Sequence, residues 1–261
     1  MGLLNSPYKS FNSQNDLCVL NQRRTKESLS IKVMNQSLPK LAIIGGTGAL
    51  GSGLAKRWAQ AGYPVIIGSR SSEKASLAAE EITSQNHTIS VIGTDNHTAA
   101  VQGEVIVITV PFSSHAEILS SNKDTVSEKI VVDTTVPLKP PKVGTVQLPE
   151  AGSAAIITQQ LLGAETKVVS ALHNVAAHKL HDQEPIDCDV LVCGNIKTAR
   201  EVVIGLIEAL GMRGLHAGPI ANSVAIEAMT SVLITINRLY KVADAGFKIT
   251  GDLISGEKEN I

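Results

Sequence analysis

Short, continuously apolar runs recur along the chain, separated by stretches whose apolar residues return at helical spacing. Leu41–Ile44 is apolar throughout, as expected of a parallel strand covered on both faces. Residues 64–70, 89–92, 104–110, 129–134, 168–172 and 189–193 read as further strands. Between them, the pattern predicts helices over 54–61, 71–83, 95–102, 114–121, 151–162 and 198–210. Strands alternating with helices call for right-handed crossovers. The fold class expected is therefore α/β: a Rossmann-type, doubly wound, mainly parallel sheet. A smaller C-terminal α/β region follows and ends in a long apolar helix. Residues 136–149 are proline-rich and read as a loop over one end of the sheet, and 215–218 as a short strand or turn. Residues 220–242 read as a final helix or helix pair. Its apolar residues Ile226, Met229, Val232, Leu233, Ile236 and Leu239 exceed what one packed face needs. A dimer contact, the wall of a cleft or packing under the sheet would each account for them.

The first strand breaks into Gly46-x-Gly48-x-x-Gly51 and then into a helical segment, the context that a dinucleotide-binding turn requires. One glycine permits the tight turn, one lets backbone approach a diphosphate, and one lets helix and strand pack closely. The helix N-terminus then faces the phosphates. An NAD site places a carboxylate at the end of the second strand, where this chain has Ser69 and Arg70, with Lys74 one turn into the next helix. An acid there would repel a 2′-phosphate, whereas arginine bonds it in a fork, so NADP(H) is the expected dinucleotide. Ligands lie beyond the carboxyl ends of such strands. Val110, Pro111 and Phe112 should therefore border the nicotinamide, with Thr134, Thr135, Val136 and Pro137 opposite. The resulting division is a mobile tail over 1–38, an NADP-binding domain over 39–165 and a substrate-side region over 166–261.

Composition narrows the classes further. The 261 residues are 43% hydrophobic and carry a net charge of −1, which points to neither nucleic acid nor an acidic lipid surface. No apolar stretch is expected to reach the ~20 residues of a membrane span. Cys18, Cys188 and Cys193 make no disulfide framework, and the latter two read as buried strand residues. Residues 1–38 lack the apolar core of a secretory signal, although their few acids leave a transit peptide open. A start at Met34 is the simpler expectation, and the protein is expected to be cytoplasmic.

With Gly45-Gly-Thr-Gly-x-Leu-Gly51 and Gly68-Ser-Arg70 in place, the sequence resembles the NADPH-dependent coenzyme F420 reductases. The likeness extends from Lys40 to about Asn237 and includes Ser170-Ala-Leu-His173, Val192-Cys-Gly194 and Ala217-Gly-Pro-x-x-Asn-Ser223. The resemblance implies hydride transfer between NADP(H) and the 8-hydroxy-5-deazaflavin coenzyme F420. It makes Thr47, Leu50, Ser69, Arg70, Lys74, Val110 and Pro111 the NADP contacts. His173 and Val175 would lie near the deazaflavin ring, with Thr230 retained on the substrate side. The chain departs from the family at Asn174-Val-Ala176, at Val224 where the family has Arg, and at Ala228 where it has Ser.

Ring-to-ring hydride transfer needs orientation and little acid–base help. Reduction of a carbonyl or imine needs a proton donor, and His173 is the candidate catalytic residue for it. His178 and His181 share a helical face, but no carboxylate or cysteine joins them, so no metal is expected. Three readings stand: an F420-linked oxidoreductase, an NADPH-dependent reductase of another small imine or carbonyl acceptor, and a non-catalytic NADP-sensing protein. The expected partner is a small redox molecule, with no nucleic acid and no membrane, and a homodimer is expected through the C-terminal helix.

Overall fold

The computed structural model describes residues 37–84, 89–182 and 184–253. The expectations for the tail and for Met34 and Cys18 fall outside them. The first strand, β1 (Leu41–Ile44), is buried at every position. Leu41 and Ile43 point into one apolar layer, and Ala42 and Ile44 into the other. A strand with two covered faces must lie inside a sheet. β2 (Val65–Ser69) and β4 (Val105–Ile108) flank it, both parallel. β3 (Val91–Asp95) pairs outside β2, while β5 (Ile130–Asp133) and β6 (Lys167–Ser170) continue beyond β4, all still parallel. β7 (Asp189–Gly194) turns antiparallel against β6, and β8 (Arg213–His216) follows parallel to β7. The order β3-β2-β1-β4-β5-β6-β7-β8 contains the 3-2-1-4-5-6 arrangement of dinucleotide-binding sheets. The sheet runs unbroken past residue 165, and Pro39–Ile261 forms one compact unit.

The helices are α1 (Ala49–Gln60), α2 (Ser72–Ser84), α3 (Asn96–Gln102), α4 (Phe112–Asn122), α5 (Ala154–Leu162), α6 (Ala177–His181), α7 (Lys197–Ala209) and α8 (Ser223–Tyr240). Two strand positions differ from expectation. β3 covers 91–95 rather than 89–92, because an edge strand needs no apolar run. Ile92 is 49% exposed, and polar Thr94 and Asp95 complete the pairing with β2. β8 begins two residues earlier than the 215–218 turn, again at an edge. The run Ile220–Tyr240, with hydropathy 1.3 over its most apolar window, is long and apolar enough to cross a membrane. This corrects the expectation that no stretch reaches that length.

α8 is fastened by polar contacts as well as apolar ones. Its Ser223 meets Ser153 hydroxyl to hydroxyl at 2.7 Å, and its buried Glu227 accepts the Ala154 and Ala155 N–H groups at 2.6 and 3.0 Å. A carboxyl group at the start of α5 takes up helix N–H groups that have no partner within the helix, and its burial pushes its pKa up to about 8. Ile226 and Leu233 are buried, whereas Met229, Val232, Leu239 and Tyr240 are exposed. The surplus apolar residues of this helix are therefore not packed under the sheet.

α6, not anticipated as an element, is held by Arg57 of α1. The guanidinium donates to the carbonyls of Lys179, Leu180 and Leu210 at 2.7, 3.0 and 3.2 Å, and to those of Asp182 and Glu184. Truncating it strands several acceptors at once. Arg57→Ala should cost about 3 kcal/mol in urea unfolding and speed amide exchange across residues 177–182. Wild-type exchange there would show that Arg57 does not anchor α6.

Candidate active site

A cavity of ≈ 670 Å³ opens at the carboxyl ends of β1, β2, β4, β5 and β6. Its floor is the turn from β1 into α1. Gly45 sits at φ +78°, and a Cβ there would lie 2.7 Å from Val110 Cγ1. A Cβ on Gly51 would lie 2.7 Å from Gly46 Cα, so these glycines are demanded by the fold. Gly48 is different. Its φ of −77° and ψ of 165° suit any residue, and a Cβ would meet nothing nearer than Gly45 O at 3.4 Å. The protein's own packing does not require glycine there, whereas a diphosphate laid against the α1 N-terminus does. The residues present thus fit a dinucleotide.

At one end of the cavity stand Ser69, Arg70, Ser71 and Lys74. Thr47 Oγ1 donates to Ser69 Oγ at 3.4 Å, and Ser69 Oγ accepts the Ser71 N–H at 3.3 Å. Among the described residues, neither Arg70 nor Lys74 is in a salt bridge. No carboxylate lines this end. Two unpaired cations beside serine hydroxyls complement a phosphate dianion.

The other end is apolar. Val110, Pro111, Phe112, Ile118, Val136, Leu138, Leu172 and Val175 line it, together with His173. Behind this wall, Asp133 is wholly buried at the end of β5. Its Oδ2 bonds His115 Nε2 at 2.8 Å and the Thr158 hydroxyl, and its Oδ1 accepts the Thr135 N–H at 2.9 Å. Burial pushes the Asp133 carboxyl up, but the hydrogen bonds and charge from His115, with those of Thr158 and Thr135, hold it below the usual range. The network fixes the loop that presents Thr134 and Thr135 to the cavity.

His173 is 6% exposed, and neither ring nitrogen has a partner among the described residues. Burial pushes its imidazole down to about 4, against the opposing pull of Asp133. The ring is therefore neutral near pH 7, and both of its nitrogens are sealed within the protein in this structure. Its carbonyl accepts the Thr230 hydroxyl of α8 at 3.0 Å.

Thr47, Gly48, Leu50, Ser69, Arg70, Lys74, Val110, Pro111, His173 and Val175 are thus brought to one cavity, with Gly46 and Gly51 shaping its turn. Thr230 is not on the cavity wall and holds the His173 backbone instead. Sequence reasoning missed Asn96, Ser114, Ile118, Leu138 and Leu172, which also line it. Asn96 and Ser114 lie at helix starts and Leu138 and Leu172 beyond strand ends, where no periodicity marks them, whereas Ile118 lies within α4, whose pattern predicts the helix but not which face meets the cavity.

Residues 40–137 match the family model described as NADP oxidoreductase coenzyme F420-dependent. The F420-dependent NADP reductase of Methanothermobacter thermautotrophicus is 40% identical over 228 residues, covering 84% of this chain and 97% of the relative. The chain belongs to the F420-dependent NADP reductase family. The reductase of Methanocaldococcus jannaschii is also 40% identical, over 81% of this chain and 98% of its own length. A provisionally named F420-dependent NADP reductase from Arthrobacter has a matching crystal structure. It is 25% identical with a TM-score of 0.68, over 82% of this chain and all of that one.

Arg70→Ala should weaken NADPH by about 10- to 100-fold, the loss of one charge-assisted contact, and leave NADH affinity almost unchanged. Equal losses for both dinucleotides would contradict the 2′-phosphate assignment. Gly48→Val should keep the melting temperature while raising the Kd for NADPH about 100-fold, because the side chain fills the diphosphate's place. Retained affinity would remove the turn from the binding site.

Proposed function

We propose that this chain transfers a hydride between NADPH and the deazaflavin coenzyme F420. The observation that carries the reading is the state of the reaction end of the cavity. Arg70, Lys74 and His173 are the ionisable residues among those lining it, and the first two stand at the 2′-phosphate end. His173, ionising at about 4, is a poor general acid near neutrality, where a matched donor is needed for imine or carbonyl reduction. Direct transfer has no such need. When both substrates are bound, nicotinamide C4 gives its hydrogen and electron pair to deazaflavin C5, and one proton from solvent balances the product.

The protein's contribution is then placement and exclusion of water. Ser69, Arg70 and Lys74 hold the 2′-phosphate, and the turn's N–H groups hold the diphosphate. Val110, Pro111, Leu172 and Val175 form dry walls for stacked rings. Neutral His173 adds to the wall beside the rings and supplies no proton. The exposed apolar residues of α8 support the expected homodimer. Sedimentation at monomer mass would remove that part of the reading.

Mixing the protein with NADPH and oxidised F420 should bleach the deazaflavin absorbance at a catalytic rate. Turnover at saturation should stay flat from about pH 5.5 to 8, because His173 titrates below that window. An inflection near 6.5 that His173→Ala abolishes would favour a proton-donor mechanism. Stability has a definite sign as well. The unfolded imidazole takes its proton near 6.5 and the folded one only near 4, so stability falls as pH drops through that interval. Tight NADPH binding with no bleaching would overturn the hydride-transfer reading.

A further inference from the structure

The glycine turn is braced from the side by Asn96, the first residue of α3. Asn96 is 8% exposed and borders the cavity. Its Oδ1 accepts the Gly45 N–H at 3.2 Å. The side chain reaches Gly45 across the end of β2, where Gly68 leaves room for it. A Cβ at Gly68 would lie 3.0 Å from Asn96 Oδ1 and 3.0 Å from Ala99 Cβ. The bare β2 position is therefore matched to this one amide.

Because the Gly45 N–H can only donate, the bond fixes which end of the amide is oxygen. The amide nitrogen is left with two hydrogens. It meets no acceptor among the described residues, and it is not sealed away from the cavity as a buried unpaired atom. The register pairs Asp95 with Ser69, so Asn96 follows directly beside the 2′-phosphate end of the site. It stands between that end and the diphosphate turn.

We propose that Asn96 is a positioning residue for the dinucleotide. Its Oδ1 sets the phosphate turn through Gly45, and its amide nitrogen donates to an oxygen of the adenosine ribose or the diphosphate. The proposal rests on NADP(H) being the ligand of this cavity. The brace alone explains a buried acceptor, but it leaves unexplained a second polar atom, on a residue that borders the cavity, with nothing to bond among the described residues.

Two substitutions separate the halves. Asn96→Asp keeps an acceptor for Gly45 but replaces the donor with an anion facing phosphate, whereas Asn96→Ala removes both. The readouts are the melting temperature without ligand, the Kd for NADPH, and the Kd for 2′-phospho-ADP-ribose, which lacks nicotinamide. Asn96→Asp should melt within about 3 °C of wild type and bind both ligands about 30-fold more weakly. The loss in steady-state assays should fall on KM for NADPH rather than on kcat. Asn96→Ala should lose affinity and also melt lower. Wild-type affinity in Asn96→Asp would overturn the donor role, and wild-type affinity in Asn96→Ala the positioning role as well. A loss in Asn96→Asp confined to NADPH and absent for the fragment would also overturn the donor role. If the wild-type protein itself fails to bind NADPH, the underlying ligand assignment falls with the proposal, an outcome visible before any variant is made.

Discussion

The burial of β1 on both faces is the constraint from which the site follows. Four apolar residues, Leu41 to Ile44, enter two hydrophobic layers at once, which forces strands on both sides and helices above and below. The chain must then leave the sheet at its carboxyl edge through a turn tight enough to start α1 immediately. That turn leaves unpaired N–H groups at the head of α1, in a place where no side chain of the protein caps them. The anion-binding end of the cavity is therefore a by-product of how the core is covered, and Arg70 and Lys74 stand beside it with no salt-bridge partner among the described residues.

The substrate end depends on contacts between elements far apart in sequence. Arg57 ties α1 to α6, and Thr230 of α8 holds the carbonyl of His173. Glu227 secures α8 to the start of α5. Asp133 joins β5, α4 and α5 through His115, Thr158 and Thr135. These buried polar groups are bonded at nearly every atom, as the low-dielectric interior demands. Among the described residues the buried atoms without a partner are both His173 nitrogens, His115 Nδ1, Asn122 Oδ1, Ser170 Oγ and Asn174 Oδ1.

Much of this was legible in the chain alone. The β1 run, the glycine spacing and the Ser69-Arg70 pair sit close together, and each has a local physical meaning. The doubly wound, mainly parallel sheet, the NADP(H) preference and the cavity's wall residues at 110 and 111 follow from them. β3 was misplaced because an edge strand is not required to be apolar. α6 was missed because five residues carry no periodicity and are held by Arg57 from another helix. Asn96 was missed because its partner, Gly45, is 51 residues away. Thr230 was placed on the substrate side by the family resemblance alone, which does not reveal the His173 backbone carbonyl that it meets. The neutral state of His173 depends on burial, which no residue spacing encodes.

The account's central claim is direct ring-to-ring transfer in a dry cavity without a protein acid. NADPH carrying deuterium at both C4 positions, turned over with F420 in ordinary water, tests it most directly. The account predicts that the reduced deazaflavin carries one deuterium at C5 in every product molecule. Product with hydrogen from solvent at C5 would contradict it, since the hydride would then have passed through an exchangeable group.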